Sequence, residues 1–325
     1  MLQLIKNVRA EFEKRFSKNG EFQKNIAILK EWKKKYPKNE DVKKMLQIFR
    51  QKIYGIKGAN FVYEKITDIF ENRFPFLNGV FEIENVKFDL TSRPARVAFC
   101  YELMDILLND EHFKKTENHD VFYPLMQIIS SIFTENTYQS HSVFLKSGDV
   151  VVDAGANIGM FSLFANKFYA CKCYAFEPIK SVIDLLEKNI ALNHKESAIE
   201  VIPYALSNKE CDANIQVDLN ILGSLLVRNQ GNTVGLEKIH CITLDQWVNE
   251  NHISKIDFIK ADIEGSERYM LSGATGVLQK FAPKLSICTY HLPDDPQVLE
   301  GIILRANPKY KIEHARKKLY AYLPE

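Results

Sequence analysis

Two hydrophobic periods divide the chain. Near its start, apolar residues recur every three or four positions: Ile5, Val8, Phe12 and Phe16, then Phe22, Ile26, Leu29 and Tyr36. That spacing predicts amphipathic helices, with Pro37 closing the second and Asp41 capping a third. Residues 55–80 hold scattered Gly, Asn and Pro and read as a transition, and helical patterns return around Pro94–Leu108 and Phe122–Phe133. From about Ser147 short β-branched runs alternate with helical stretches. Strands are expected at Asp149–Asp153, Cys173–Glu177, Ile199–Ala205, His240–Leu244, Ile256–Ala261 and Leu285–Tyr290. Helices are expected at Ile158–Phe168, Ile179–Asn193, Leu244–Glu250, Ser266–Leu271 and Gln297–Ala306. Continuous apolar strand cores suit a doubly wound, mostly parallel α/β sheet covered on both faces. A last pair, Tyr310–His314 and Leu319–Leu323, predicts a hairpin that adds an antiparallel edge. The expected division is a helical N-terminal extension (1–75), a helical linker or cap (76–134) and the α/β domain (135–325).

Composition sharpens this picture only in places. Of 325 residues 46% are hydrophobic, enough for a full core. No run of about 18 apolar residues suggests a membrane span. The start, MLQLIKNVRAEFEKRF, lacks the apolar centre of a signal peptide, so a cytoplasmic location is expected. The spacing of the six cysteines fits neither a zinc site nor a disulfide framework. The net charge of +2 hides an asymmetry: residues 1–60 carry 16 basic and 6 acidic groups, the rest 27 and 35. This reads as a solvated helix face docking on an acidic neighbour, ahead of an arm for an anionic polymer. The apolar stripes of the same helices suggest a homodimer.

The candidate chemistry begins at VVVDAGANIGMFS, Val150–Ser162: a strand ending in an acid, a glycine turn and a helix start. The spacing Asp153-x-Gly155-x-Asn157-x-Gly159 approaches the dinucleotide fingerprint but places Asn157 where a glycine is expected. That departure turns the reading from a pyrophosphate toward S-adenosylmethionine (SAM), whose positive charge suits Asp153. Glu177, followed by Pro178, lies 18 residues past Gly159, where an acid can accept hydrogen bonds from ribose hydroxyls. Ala205 and its neighbours are small enough to admit the adenine ring. DFIKADIEGSE gathers Lys260, Asp262, Glu264 and Glu267 at one strand end, and LSICTY leads into His291, with Asp294 and Asp295 just beyond.

Taken with AFEP, PYALSN, Gly223-Ser224, ITLDQW, IKADIEGSE and TYHLPDD, in this order across residues 135–325, the glycine turn resembles the FkbM family of SAM-dependent methyltransferases. The resemblance implies a class I methyltransferase sheet, SAM as donor, and a hydroxyl acceptor on a sugar, surface polysaccharide or natural product. It implies cofactor contacts at Asp153, Gly155, Asn157, Glu177 and Asp262; the turn geometry adds Gly159, Pro178 and Ala205. Such an acceptor needs a general base, for which His291 is the first choice and Asp262 or Glu264 the second. The alternative is Mg²⁺ held by Asp262, Glu264 or Glu267 with Asp294 or Asp295. Tyr138 and His141 are placed to close over the site. The competing readings are an NAD(P)-dependent oxidoreductase and a non-catalytic protein binding an anionic polymer. Amino-group methylation of nucleic acid is disfavoured, because no N/D-P-P-Y/F motif is present.

Overall fold

The computed structural model describes residues 79–92, 94–96, 98, 99, 102, 138–140, 142–217, 224–226, 236–315 and 317–324. All belong to one unit, Phe76–Glu325. The helical stripes and basic excess of residues 1–60, with the dimer expected from them, lie outside the described residues, as does His141. A β-hairpin pairs β1 (Val80–Ile83) with β2 (Val86–Asp89) in a stretch expected to be transitional or helical. Glu84 and Asn85 turn between them with φ of 48° and 57°, the paired positive values of a two-residue hairpin loop.

The main sheet is built from β3 (Val150–Ala154), α1 (Met160–Tyr169), β4 (Lys172–Phe176), α2 (Lys180–Leu192) and β5 (Ile199–Ile202). The chain then leaves this sheet. Pro203, which has no N–H to give a ladder, follows β5, and β6 (Ala205–Leu206) joins a second sheet with β7 (Cys211–Val217), β8 (Ser224–Leu226) and β9 (Leu236–Ile242). The run expected as one strand, Ile199–Ala205, is therefore split between two sheets, and His240–Leu244 belongs to the second rather than the main one. The chain returns through α3 (Leu244–Glu250), β10 (Phe258–Ala261), α4 (Glu267–Ser272), α5 (Thr275–Lys280), β11 (Lys284–Cys288), α6 (Asp295–Ala306), β12 (Lys311–Ala315) and β13 (Lys318–Tyr322).

The main sheet has the order β12-β13-β11-β10-β3-β4-β5. Its central strands are parallel, and β13 and β12 form the expected antiparallel edge. Alternation sends Val152 and Ala154 into a core with Trp247, Met270, Leu278 and Leu299. The opposite face meets α1, where Phe161 lies 6.0 Å from Phe258, ring centre to ring centre. Asparagines of α2 and its C-cap clamp the hairpin: Asn189 Oδ1 accepts from Asp89 N and Asn193 Oδ1 from Lys87 N. Thr243 Oγ1 caps α3 by accepting from Gln246 N at 3.0 Å. Thr243→Ala should cost about 1 kcal/mol, read as a lower urea midpoint with an unchanged slope.

From β3 the strand order runs outward through β4 and β5, then reverses to β10 on the other side of β3. In such a sheet ligands bind outside the carboxyl ends of the strands at the point of reversal. The turn after β3 and the DIEGSE turn after β10 meet there.

Candidate active site

A cavity of about 280 Å³ opens at this reversal. Its wall includes Gly155, Asn157, Glu177, Pro178, Ala205, Asp262 and Glu264, as the sequence led one to expect. Three other expected residues stand elsewhere. Asp153, Gly159 and His291 are not part of the cavity wall.

Gly155 shapes the cavity through backbone approach. Its φ is 77°, and a Cβ there would stand 2.1 Å from the carbonyl oxygen of Asp262. Only glycine lets the two turns come this close. Gly159 serves the same turn differently: it is the left-handed N-cap of α1, and a Cβ would meet Leu186 of α2 at 2.6 Å. It positions the turn from behind and packs away from the cavity.

Asp153 is fully buried and answers a lysine rather than a ligand. β3 and β10 place Lys260 beside it in register, with Lys260 Nζ 2.9 Å from Asp153 Oδ1. Ser162 donates to Asp153 Oδ2 at 2.7 Å. The ammonium also donates to Gly155 O at 2.6 Å, tying the glycine turn to β10. The negative charge expected to face the cofactor is thus neutralised inside the protein.

Glu177 faces the cavity from the end of β4. Asn157 N and Ile179 N donate to its two oxygens, each at 3.1 Å. Burial outweighs these donors and pushes its pKa up to about 7. Asn157, at φ 48°, carries a buried Oδ1 with no protein partner. A ligand with several hydroxyl and amine donors fits this rim.

The acids of DIEGSE converge with His291. Asp262 accepts from Tyr138 at 2.8 Å and from Tyr290 at 3.0 and 3.2 Å. His291 Nε2 lies 3.6 Å from Asp262 Oδ1 and 3.4 Å from Glu264 Oε2, and its Nδ1 lies 3.1 Å from Glu267 Oε1. Burial disfavours the charged ring, but the surrounding carboxylates prevail and push its pKa up to about 11. The base role expected of His291 finds no support here: the ring is no part of the cavity wall, and these carboxylates favour its protonated form. His291 and the lysines beside it hold the Asp262 carboxyl below its usual range despite burial. Asp294 and Asp295, expected as metal ligands, are instead bound by Arg268, at 2.8 and 2.6 Å. Glu264 remains at the cavity wall, at φ 53° on the turn.

The sequence reading missed the second sheet. Cys211, Ala213, Ile215, Ile239 and Cys241 line the cavity opposite the glycine turn. The signal was there: in CDANIQV small or apolar residues alternate with Asp212, Asn214 and Gln216, the period of a half-buried strand. Lys260 was noticed, but its partnership with Asp153 is a matter of strand register. Among the described residues no helix is long and apolar enough to cross a membrane.

Comparison with known proteins agrees with this architecture. A family model described as the methyltransferase FkbM domain matches residues 153–319, just over half of the chain. Methyltransferase sdnD of Sordaria araneosa is 28% identical over 176 residues, covering 45% of this chain and 67% of the relative. The 31-O-demethyl-FK506 methyltransferase FkbM of Streptomyces tacrolimicus is 29% identical over 171 residues, covering 44% and 65%. Hexuronic acid methyltransferase AglP of Haloferax volcanii is 27% identical over 165 residues, covering 49% and 62%. The matches thus span about two thirds or less of each relative's length.

Proposed function

Because this chain belongs to the FkbM methyltransferase family and is a SAM-dependent methyltransferase, we propose that it methylates a hydroxyl group of a sugar, in a surface glycan or a related natural product. The observation that carries this reading is the buried Glu177 carboxylate, aimed across one cavity toward the acids that follow β10. Glu177 would accept the ribose hydroxyls, Asn157 would take a donor from the cofactor, and Ala205 with the second sheet would flank the adenine. The relatives' names support an oxygen acceptor and a sugar: one is named for an O-demethyl substrate and another for a hexuronic acid.

SAM brings an already activated methyl group, so the protein's contribution is alignment and removal of a proton. Glu264 is the proton acceptor in this reading. It lines the cavity, whereas His291 is no part of the cavity wall and Asp262 is engaged by two tyrosines. The ring of His291 lies within 3.6 Å of an oxygen of each of the three acids of the turn.

Glu177 gives the reading a pH test. Its pKa in the folded protein is raised from 4.5 to about 7, so the folded state holds a proton that the unfolded state has released in that interval. Its contribution to stability is therefore present below pH 4.5 and is lost as pH rises through 7. Ribose donors bind the ionised carboxylate, so affinity moves the other way. S-adenosylhomocysteine should bind about tenfold more tightly at pH 8 than at pH 6, measured by calorimetry. Glu177→Gln should weaken binding and flatten this dependence. Tighter binding of NAD than of S-adenosylhomocysteine would sink the assignment of the cavity.

A further inference from the structure

Asp262, Glu267 and His291 come from three separate segments: the end of β10, the first residue of α4 and the loop after β11. Each offers one ligand atom, and the three atoms lie within 4.8 Å of one another. Two details make this more than an acidic cluster. Glu267 is fully buried, its Oε1 accepts from Ile263 N at 2.9 Å, and its Oε2 has no hydrogen-bond partner. Both His291 nitrogens lie within 3.6 Å of carboxylate oxygens, yet neither meets one in hydrogen-bonding geometry.

We propose that Asp262, Glu267 and His291 bind one divalent first-row transition ion at the edge of the cavity. One imidazole nitrogen with two carboxylate oxygens suits Mn²⁺, Fe²⁺, Co²⁺ or Zn²⁺; Mg²⁺ prefers oxygen ligands alone. This donor set replaces the all-oxygen one expected from the sequence, from which Arg268 withdraws Asp294 and Asp295.

The supporting shell is in place. Tyr138 and Tyr290 fix the Asp262 carboxylate, as outer partners commonly orient a metal ligand. The loop bearing His291 is pinned by Asp295, whose Oδ2 accepts from Leu292 N at 2.8 Å. The carboxylates of Asp262, Glu264 and Glu267 each lie within 3.6 Å of the one imidazole. Asp262 also lines the cavity, so the ion would stand beside the acceptor hydroxyl and ease its deprotonation. That role rests on the methyl-transfer reading; the binding itself does not.

The test uses the full chain, stripped with a chelator and dialysed. Titration with Mn²⁺, followed by electron paramagnetic resonance, and with Zn²⁺, followed by elemental analysis, should give one ion per chain and a raised thermal midpoint. Glu267→Gln and His291→Gln should each weaken Mn²⁺ binding by about tenfold or more. S-adenosylhomocysteine titrations on the same variants report whether they are folded and whether the cofactor cavity stands independently. No ion bound at about 100 μM, equal binding by wild type and both variants, or binding of Mg²⁺ in preference to Mn²⁺ would each overturn the site. Loss of cofactor binding by wild type with ion binding intact would instead defeat the cavity assignment alone.

Discussion

Lys260→Met is expected to lower the unfolding free energy by about 3–5 kcal/mol, the usual consequence of removing one partner from a buried ion pair. The Lys260 and Asp153 side chains are 5% and 0% exposed, and their charged atoms are 2.9 Å apart. Without the ammonium, the carboxylate of Asp153 keeps, among the described residues, only the hydroxyl of Ser162 as a side-chain donor, at the centre of the main sheet. The loss is not the worth of the pair, because burying both charges has its own desolvation cost. The paired change Asp153→Asn with Lys260→Met should therefore recover a large part of it. Guanidinium unfolding curves for the two single variants and the double one form the cycle that measures the coupling. A loss below about 1 kcal/mol for Lys260→Met, or a double variant no more stable than the single, would show that the pair is hydrated after all. The single variant should also loosen the glycine turn, since Lys260 Nζ holds Gly155 O.

The same pair shows where sequence reading stops. An acid ending the first strand of a glycine motif looks the same whether it faces a ligand or a lysine. The choice is made by the register of β3 against β10, which places Lys260 opposite Asp153 across more than a hundred residues of chain. Local patterns fared better. Apolar β-branched runs located β3, β4, β10 and β11 to within a residue or two, and the last hairpin was legible from its two short apolar segments. The split at Pro203 was legible too, as a missing N–H, but the continuous apolar pattern of IEVIPYAL masked it. Among the expected site residues, Glu177 and Glu264 could be placed at the cavity wall because they follow strand ends that the sequence marks. The surroundings of His291 could not be read, because its carboxylate neighbours come from a turn that folds against it from another strand. Likewise Asp245, at the start of α3, binds the first amides of α5 at 2.8 Å, a contact no periodicity announces.

Gly155→Ala should be the most damaging small substitution in the glycine turn, and Gly148→Ala supplies its control. The two glycines share nearly the same backbone, with φ of 77° and 78°. An alanine pays about 1–2 kcal/mol for that left-handed conformation at either place. At Gly148 nothing lies within 4 Å of the added methyl, so the conformational cost is the whole expected effect. At Gly155 the methyl would stand 2.1 Å from the Asp262 carbonyl oxygen and 3.0 Å from Ile263 Cγ2. The first of these is backbone and cannot rotate away, so the turns after β3 and β10 must separate. That adds about 1–3 kcal/mol or more, as overpacking does in a dense interior. Separation also moves Asn157 and the Glu177 rim, so S-adenosylhomocysteine affinity should fall for Gly155→Ala and hold for Gly148→Ala. Equal losses of stability for the two variants, with cofactor affinity intact in both, would mean that the turns have room to part and that close approach at Gly155 does not set the shape of the cavity.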